Sequence, residues 1–137
     1  MSEENVEVIR RAFDAYNRGD IATVLRLCDE EIVITQAPEV PGVPPQQRGH
    51  AGVLEAFGLW PDQWDDFEVS IERIVADPGD HVVVATHQRG RGKQSGVEVE
   101  ADFTFVFTVR HGKIAEWRIF TRESDGLVAV GESGSAP

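Results

Sequence analysis

Few residues in this sequence combine type and spacing in a way that could do chemistry. His81 and His87 fall on the same face of one apolar stretch. Six residues at about 3.3 Å each separate them by roughly 20 Å, too far to share a metal ion. His87, nearer the middle of that stretch, is a candidate general base; a satisfied structural histidine is the plainer reading. Glu98, Glu100 and Asp102 alternate along a second stretch at steps of about 7 Å. Such carboxylates do acid–base work only if one is buried and its pKa raised; otherwise they are a solvated face. Asp102 is the best exception, because Thr104 and Val106 follow it. His50 and His111 fall at a helix start and in a turn, both facing solvent. The single cysteine, Cys28, rules out an internal disulfide and a multi-cysteine metal site. Its apolar neighbours Leu25 and Leu27 mark it as a buried thiol rather than a nucleophile.

The elements that must position these groups change character along the chain. Val6, Ile9, Phe13 and Tyr16 recur at helical steps. Gly19 stops that helix and Asp20 caps a second, with Val24, Leu25 and Cys28 inward. Glu31 to Gln36 predicts a first strand, and Ala37 to Gly49 an irregular proline-rich loop. Gly49 to Leu59 is helical again. From Phe67 the period becomes two, with strands predicted from Phe67, at 81–89, 97–109 and 114–121. In the third of these, Val97, Val99, Ala101, Phe103, Phe105, Phe107 and Val109 share one face. Gly90 to Gly96 is a hairpin loop without a phosphate-loop pattern. Helices followed by an antiparallel meander read as α+β, with a curved sheet folded over helices and enclosing a pocket. Phe103, Phe105, Trp60, Trp64, Trp117 and Tyr16 are candidates for its wall; core or interface packing is the competing role.

The chain has 137 residues, with 13 Lys and Arg against 24 Asp and Glu, a net charge of −11. One domain over 1–131 and a mobile Gly/Ser-rich tail over 132–137 are expected. The charge argues against nucleic acid and anionic membranes as partners. The N-terminus is acidic with no apolar run behind it, so no signal peptide is expected and the cytoplasm is the expected compartment.

The segment from Val8 to Asp20 resembles the opening helix of the SnoaL-like branch of the NTF2-like superfamily. Arg48-Gly49-His50-Ala51-Gly52-Val53, Trp64-Asp65-Asp66-Phe67, Asp80-His81-Val82-Val83-Val84 and His111-Gly112-Lys113-Ile114 resemble its later landmarks, in the same order. The resemblance spans about residues 3 to 131. It implies a cone-shaped α+β barrel with an apolar pocket, and a homodimer packed through the sheet. The superfamily includes ketosteroid isomerases, polyketide cyclases and limonene epoxide hydrolases, so fold alone does not give function.

The resemblance can be carried across residue by residue. Where isomerases have an oxyanion-donor tyrosine, this chain has Ala12. Their general-base aspartate matches near Gln36, which hydrogen-bonds but takes no proton at neutral pH. Their second, protonated aspartate falls at 102–104. The cyclase histidine matches Phe105, and the cyclase acid at the end of the last strand matches Arg122. A permanent cation there could bind a carboxylate or phosphate or stabilise an enolate; a surface arginine is the plainer reading. The expected function is therefore small-molecule binding without a cofactor or metal. The ligand is a small hydrophobic molecule, steroid-, polyketide- or terpenoid-like, with or without an anionic group. The alternatives are an isomerase, cyclase or hydrolase with His87 or Asp102 as base and Arg122 or Gln36 at the oxyanion, and a protein-interaction module.

Overall fold

In the computed structural model, residues 2–37, 46–58 and 64–131 are described. The chain runs α1 (Ser2–Asn17), α2 (Ile21–Leu27), β1 (Cys28–Thr35), β2 (Gln46–Arg48), α3 (Gly49–Gly58), β3 (Trp64–Ala76), β4 (His81–Gly92), β5 (Glu98–Arg110), β6 (Lys113–Phe120) and α4 (Glu123–Ala129). The proline-rich stretch 38–45, Trp60, the Trp64 side chain and the tail 132–137 lie outside the described residues. No helix among the described residues is long and apolar enough to cross a membrane.

α1 buries Val8, Ile9, Ala12 and Ala15, a stripe at helical spacing. It ends at Gly19, whose φ of 78° suits a residue without Cβ. The Asp20 carboxylate then accepts from the Thr23 N–H (3.2 Å) and hydroxyl (2.7 Å), opening α2. Those two bonds hold its pKa below the usual aspartate value. Asn17 pins the end of α1 to β3 with two bonds. It donates to the Val69 carbonyl (2.7 Å) and accepts from the Val69 N–H (3.1 Å). β3 is an edge strand, so a side chain here satisfies backbone groups that no neighbouring strand reaches.

The six strands lie in the order β2-β1-β6-β5-β4-β3 in one curved, unclosed sheet. β3 to β6 form the expected antiparallel meander. The sheet as a whole is mixed, because β1 runs parallel to β6, pairing Ile34 with Trp117 and Thr35 with Arg118. His111 (φ 54°) and Gly112 (φ 74°) make the tight β5–β6 turn, where two positive φ values match the strand twist.

Side-chain alternation sorts the sheet into two faces. The inner face carries Val82, Val84, Phe105, Phe107, Val109 and Ile114 against the N-terminal helices. The outer face carries Val83, Thr104 and Val106, also buried. α4 covers this face, and Gly126 lets it approach closely. A Cβ there would stand 2.8 Å from the Thr104 Cγ2.

Several boundaries differ from those the sequence predicts: β3 begins at Trp64, and β4 runs on to Gly92, into the predicted hairpin loop. Cys28 begins β1 instead of ending α2. Gln46–Arg48 forms a short strand paired with β1 inside the predicted loop. The chain leaves the sheet at Phe120 and enters a fourth helix at Glu123.

Candidate functional site

The cone of helices and sheet encloses a cavity of about 100 Å³, on a measure where one water takes about 10–15 Å³. Every element except β2 and α4 contributes to its wall. α1 supplies Ala12, Phe13 and Tyr16, α2 Val24, and α3 Val53 and Ala56. β1 supplies Cys28 and Ile32, with Gln36 one residue beyond its end. The meander supplies Phe67 and Val69, Gln88, Phe103, Phe105 and Phe107, then Ile114, Trp117 and Ile119.

An aromatic cluster forms the back of this cavity. The Phe105 and Trp117 rings meet edge to face with centroids 5.2 Å apart, and Phe107 stacks on Trp117 at 6.1 Å. Phe13 closes the cluster from α1, 6.2 Å from Phe105 and 6.0 Å from Phe107. Such contacts fix ring orientation as well as burying area. Tyr16 meets Phe67 edge to face at 6.4 Å.

The polar groups in the wall are a phenol, a thiol, two amides and an indole. Burial pushes the Tyr16 hydroxyl up to about 12 and the Cys28 thiol up to about 11, because an apolar surround penalises the ionised form. Both are neutral at pH 7. Gln36 donates from Nε2 to Gln47 Oε1 at 2.9 Å, and both side chains are buried. No carboxylate, imidazole, ammonium or guanidinium is among the described residues of the wall.

The candidate site residues therefore separate into two groups. Tyr16, Gln36, Phe103, Phe105 and Trp117 share the cavity. Trp60 and the Trp64 side chain fall outside the described residues. His87 and Asp102 stand together, but on the outer face of the sheet. His87 Nδ1 lies 2.7 Å from Asp102 Oδ1, and its Nε2 lies 2.6 Å from Glu100 Oε1. The antiparallel register makes this contact by pairing His87 with Asp102. Arg122 precedes α4, its side chain 73% exposed and 3.4 Å from Asp125. None of the three lines the cavity. Most of the remaining wall residues, among them Phe13, Cys28, Val53, Phe67, Gln88 and Ile119, are not singled out by the sequence pattern, although Gln88 and Ile119 share strand parity with inward neighbours.

The arrangement around His87 has a consequence for pH. An imidazole donates from both nitrogens only when protonated, and here both face carboxylates. Asp102 first, then Glu100, raise its pKa above the ordinary 6.5. A raised folded-state pKa gives stability that is full below the unfolded value and lost as pH climbs through the folded value. The stability of the wild type relative to His87→Gln should therefore fall as pH rises from about 6 into the alkaline range. Melting curves of the two proteins across that range check this; a constant difference would show that the triad does not hold the proton.

A SnoaL-like domain profile matches residues 9–117. The chain belongs to the SnoaL-like family. Solved structures agree on the fold of this SnoaL-like chain. An NTF2-like protein from Burkholderia xenovorans LB400 is 29% identical, with 94% of this chain and 97% of that chain covered and a TM-score of 0.70. TerC, co-crystallised with polyporic acid, is 21% identical over 94% of this chain and 96% of that chain, with a TM-score of 0.76. A candidate SnoaL-like polyketide cyclase from Jannaschia sp. CCS1 is 23% identical over 99% of this chain and 94% of that chain, with a TM-score of 0.75. The chain matches none of the curated proteins.

Proposed function

We propose that this SnoaL-like protein binds a small, flat, neutral and largely apolar molecule in the cone. One observation carries the reading: the described wall is aromatic and aliphatic, and its polar groups are all neutral at pH 7. Such a wall gains from burying apolar area and orients a ligand through a few hydrogen bonds. Its described residues offer an anion no cation, and taking a bare charge out of water is costly. TerC, of similar fold, is co-crystallised with polyporic acid, which supports uptake of a small organic molecule but not the preference for a neutral one.

The rival reading is acid–base catalysis as an isomerase, cyclase or hydrolase. It would need a group of suitable pKa within reach of the substrate. His87, Asp102 and Arg122 stand off the wall, which favours binding over catalysis by those three.

2-Naphthol and 2-naphthoate separate neutral from anionic recognition. 2-Naphthol should raise the melting temperature, with about 2.7 kcal/mol gained at 100 times its dissociation constant. 2-Naphthoate should not, and Arg122→Ala should leave the 2-naphthol shift unchanged. Preference for the carboxylate, with loss of that preference in Arg122→Ala, would replace this reading with an anion site.

A further inference from the structure

The cavity does not end at Phe103. A second, shallower recess of about 80 Å³ shares Phe67, Gln88 and Phe103 with it. This recess continues along the β4–β5 ribbon past Gly90, Ala101 and Val99, with Arg89 and Glu100 also in its wall. Its floor follows from register. Gly90 pairs with Val99 and Gln88 with Ala101, so the small residues Gly90 and Ala101 stand diagonally across the ribbon, each opposite a larger side chain. β6 stops opposite Thr104, where Phe120 pairs with it. Beyond that point the ribbon runs on with no β6 beside it. Val99 is 44% exposed and Val97 56%, two of the four large apolar side chains that the described residues leave open to solvent. Both have the strand parity of Phe103, Phe105 and Phe107, so the apolar row of the cavity wall extends into solvent. Isolated exposed apolar residues need no explanation, but a row continuous with an apolar cavity is where a longer ligand would lie.

We propose that the ribbon from Phe103 to Val99 is a second subsite, and that it takes the linear apolar tail of a ligand whose flat aromatic head sits in the cone. The ligand class is thus a flat, neutral aromatic head carrying an alkyl chain. Four residues of strand give the track a length of about 13 Å. The track is open on one side, so it covers about half of a chain lying in it. A fully buried methylene is worth roughly fourfold in affinity, and half-burial roughly twofold.

The inference rests on the cone being a ligand site, and the test keeps the two apart. Dissociation constants are measured for 2-naphthol and its 6-ethyl, 6-butyl and 6-hexyl derivatives by quenching of tryptophan fluorescence on the full chain. The same series is run on Val99→Asp, with Ala101→Asp as an independent second variant. Affinity should rise about twofold per methylene, to roughly tenfold or more for the butyl compound. Both variants should lose that gain while binding 2-naphthol as the wild type does. 2-Naphthol binding with no gain from the tail, or a gain that survives both variants, would overturn the tail subsite and leave the cone as a binding site. No binding by any member of the series would overturn both.

Discussion

Phe105→Ala is expected to lower the free energy of unfolding by about 3 kcal/mol or more, within the range for large aromatic truncations. Phe105 is 5% exposed and touches three other rings: Phe13, Phe107 and Trp117. Each such pair contributes about 0.5–1.5 kcal/mol beyond the area it buries. Two effects set the size of the loss. Phe105 borders an existing cavity, so one side of its ring already lacks packing partners, which pulls the cost toward the low end. Its neighbours cannot collapse into the gap, because β5 is held between β4 and β6 by a long register on both sides, which pulls the cost up. In a chain of this size the change amounts to a fall in melting temperature of about 10 °C or more. Urea unfolding followed by circular dichroism measures it, with an unchanged denaturant slope showing that the folded state keeps its compactness. The vacated space joins the cavity, so indole should stabilise Phe105→Ala more than the wild type. A loss below about 1 kcal/mol would mean that the aromatic cluster is not what holds the inner face against α1.

What could be read from the sequence follows from which interactions are local. The alternation from Val97 to Val109 identifies β5 and also which of its side chains face inward, so Phe103 and Phe105 could be assigned to the wall. The helical stripe through Val6, Ile9, Phe13 and Tyr16 did the same for α1. The parallel β1–β6 pairing is not local: it joins residues more than eighty positions apart, and no period in either strand announces a direction. β2 has no apolar pattern and is a strand only because β1 offers it an edge. α4 carries a glycine at its centre, which weakens a helix on propensity. That glycine is what close packing on Thr104 requires. The His87–Asp102–Glu100 contact depends on hairpin register, which follows from where the turn sits rather than from either strand alone. Strand parity does place Asp102 opposite to Phe103, so its position away from the wall is readable with Phe103 inward; His87 lies on another strand, and its side follows only from the register. The position of Arg122 is not set by strand parity, because β6 ends two residues earlier at Phe120.

The glutamine pair carries a prediction that a list of contacts would miss. Gln36 Nε2 donates to Gln47 Oε1, yet the buried Gln47 Nε2 has no hydrogen-bond partner among the described residues. The pair is thus half satisfied, and its two members differ in their alternatives. Gln36 lines the cavity, where water or a ligand can pair with it; Gln47 is not among the wall residues. Gln36→Leu should cost about 1–3 kcal/mol, because it strands the whole Gln47 amide in the core. Gln47→Leu should cost less, since it removes a donor that already lacks a partner and leaves Gln36 facing the cavity. Gln36→Leu/Gln47→Leu should be close to neutral, because deleting both partners removes the desolvation penalty with the bond. The four proteins form a double-mutant cycle with a coupling of about 1 kcal/mol or more, read from urea midpoints. Additive single effects would show that the two amides do not act as a unit. The same four proteins test what the pair is for. If Gln36 orients the hydroxyl of a bound aromatic alcohol, 2-naphthol should weaken in Gln36→Leu and in the double variant alike, although the double variant is as stable as the wild type. Stability and binding would then separate at one side chain, which is expected of an amide kept in an apolar wall for the ligand and not for the fold.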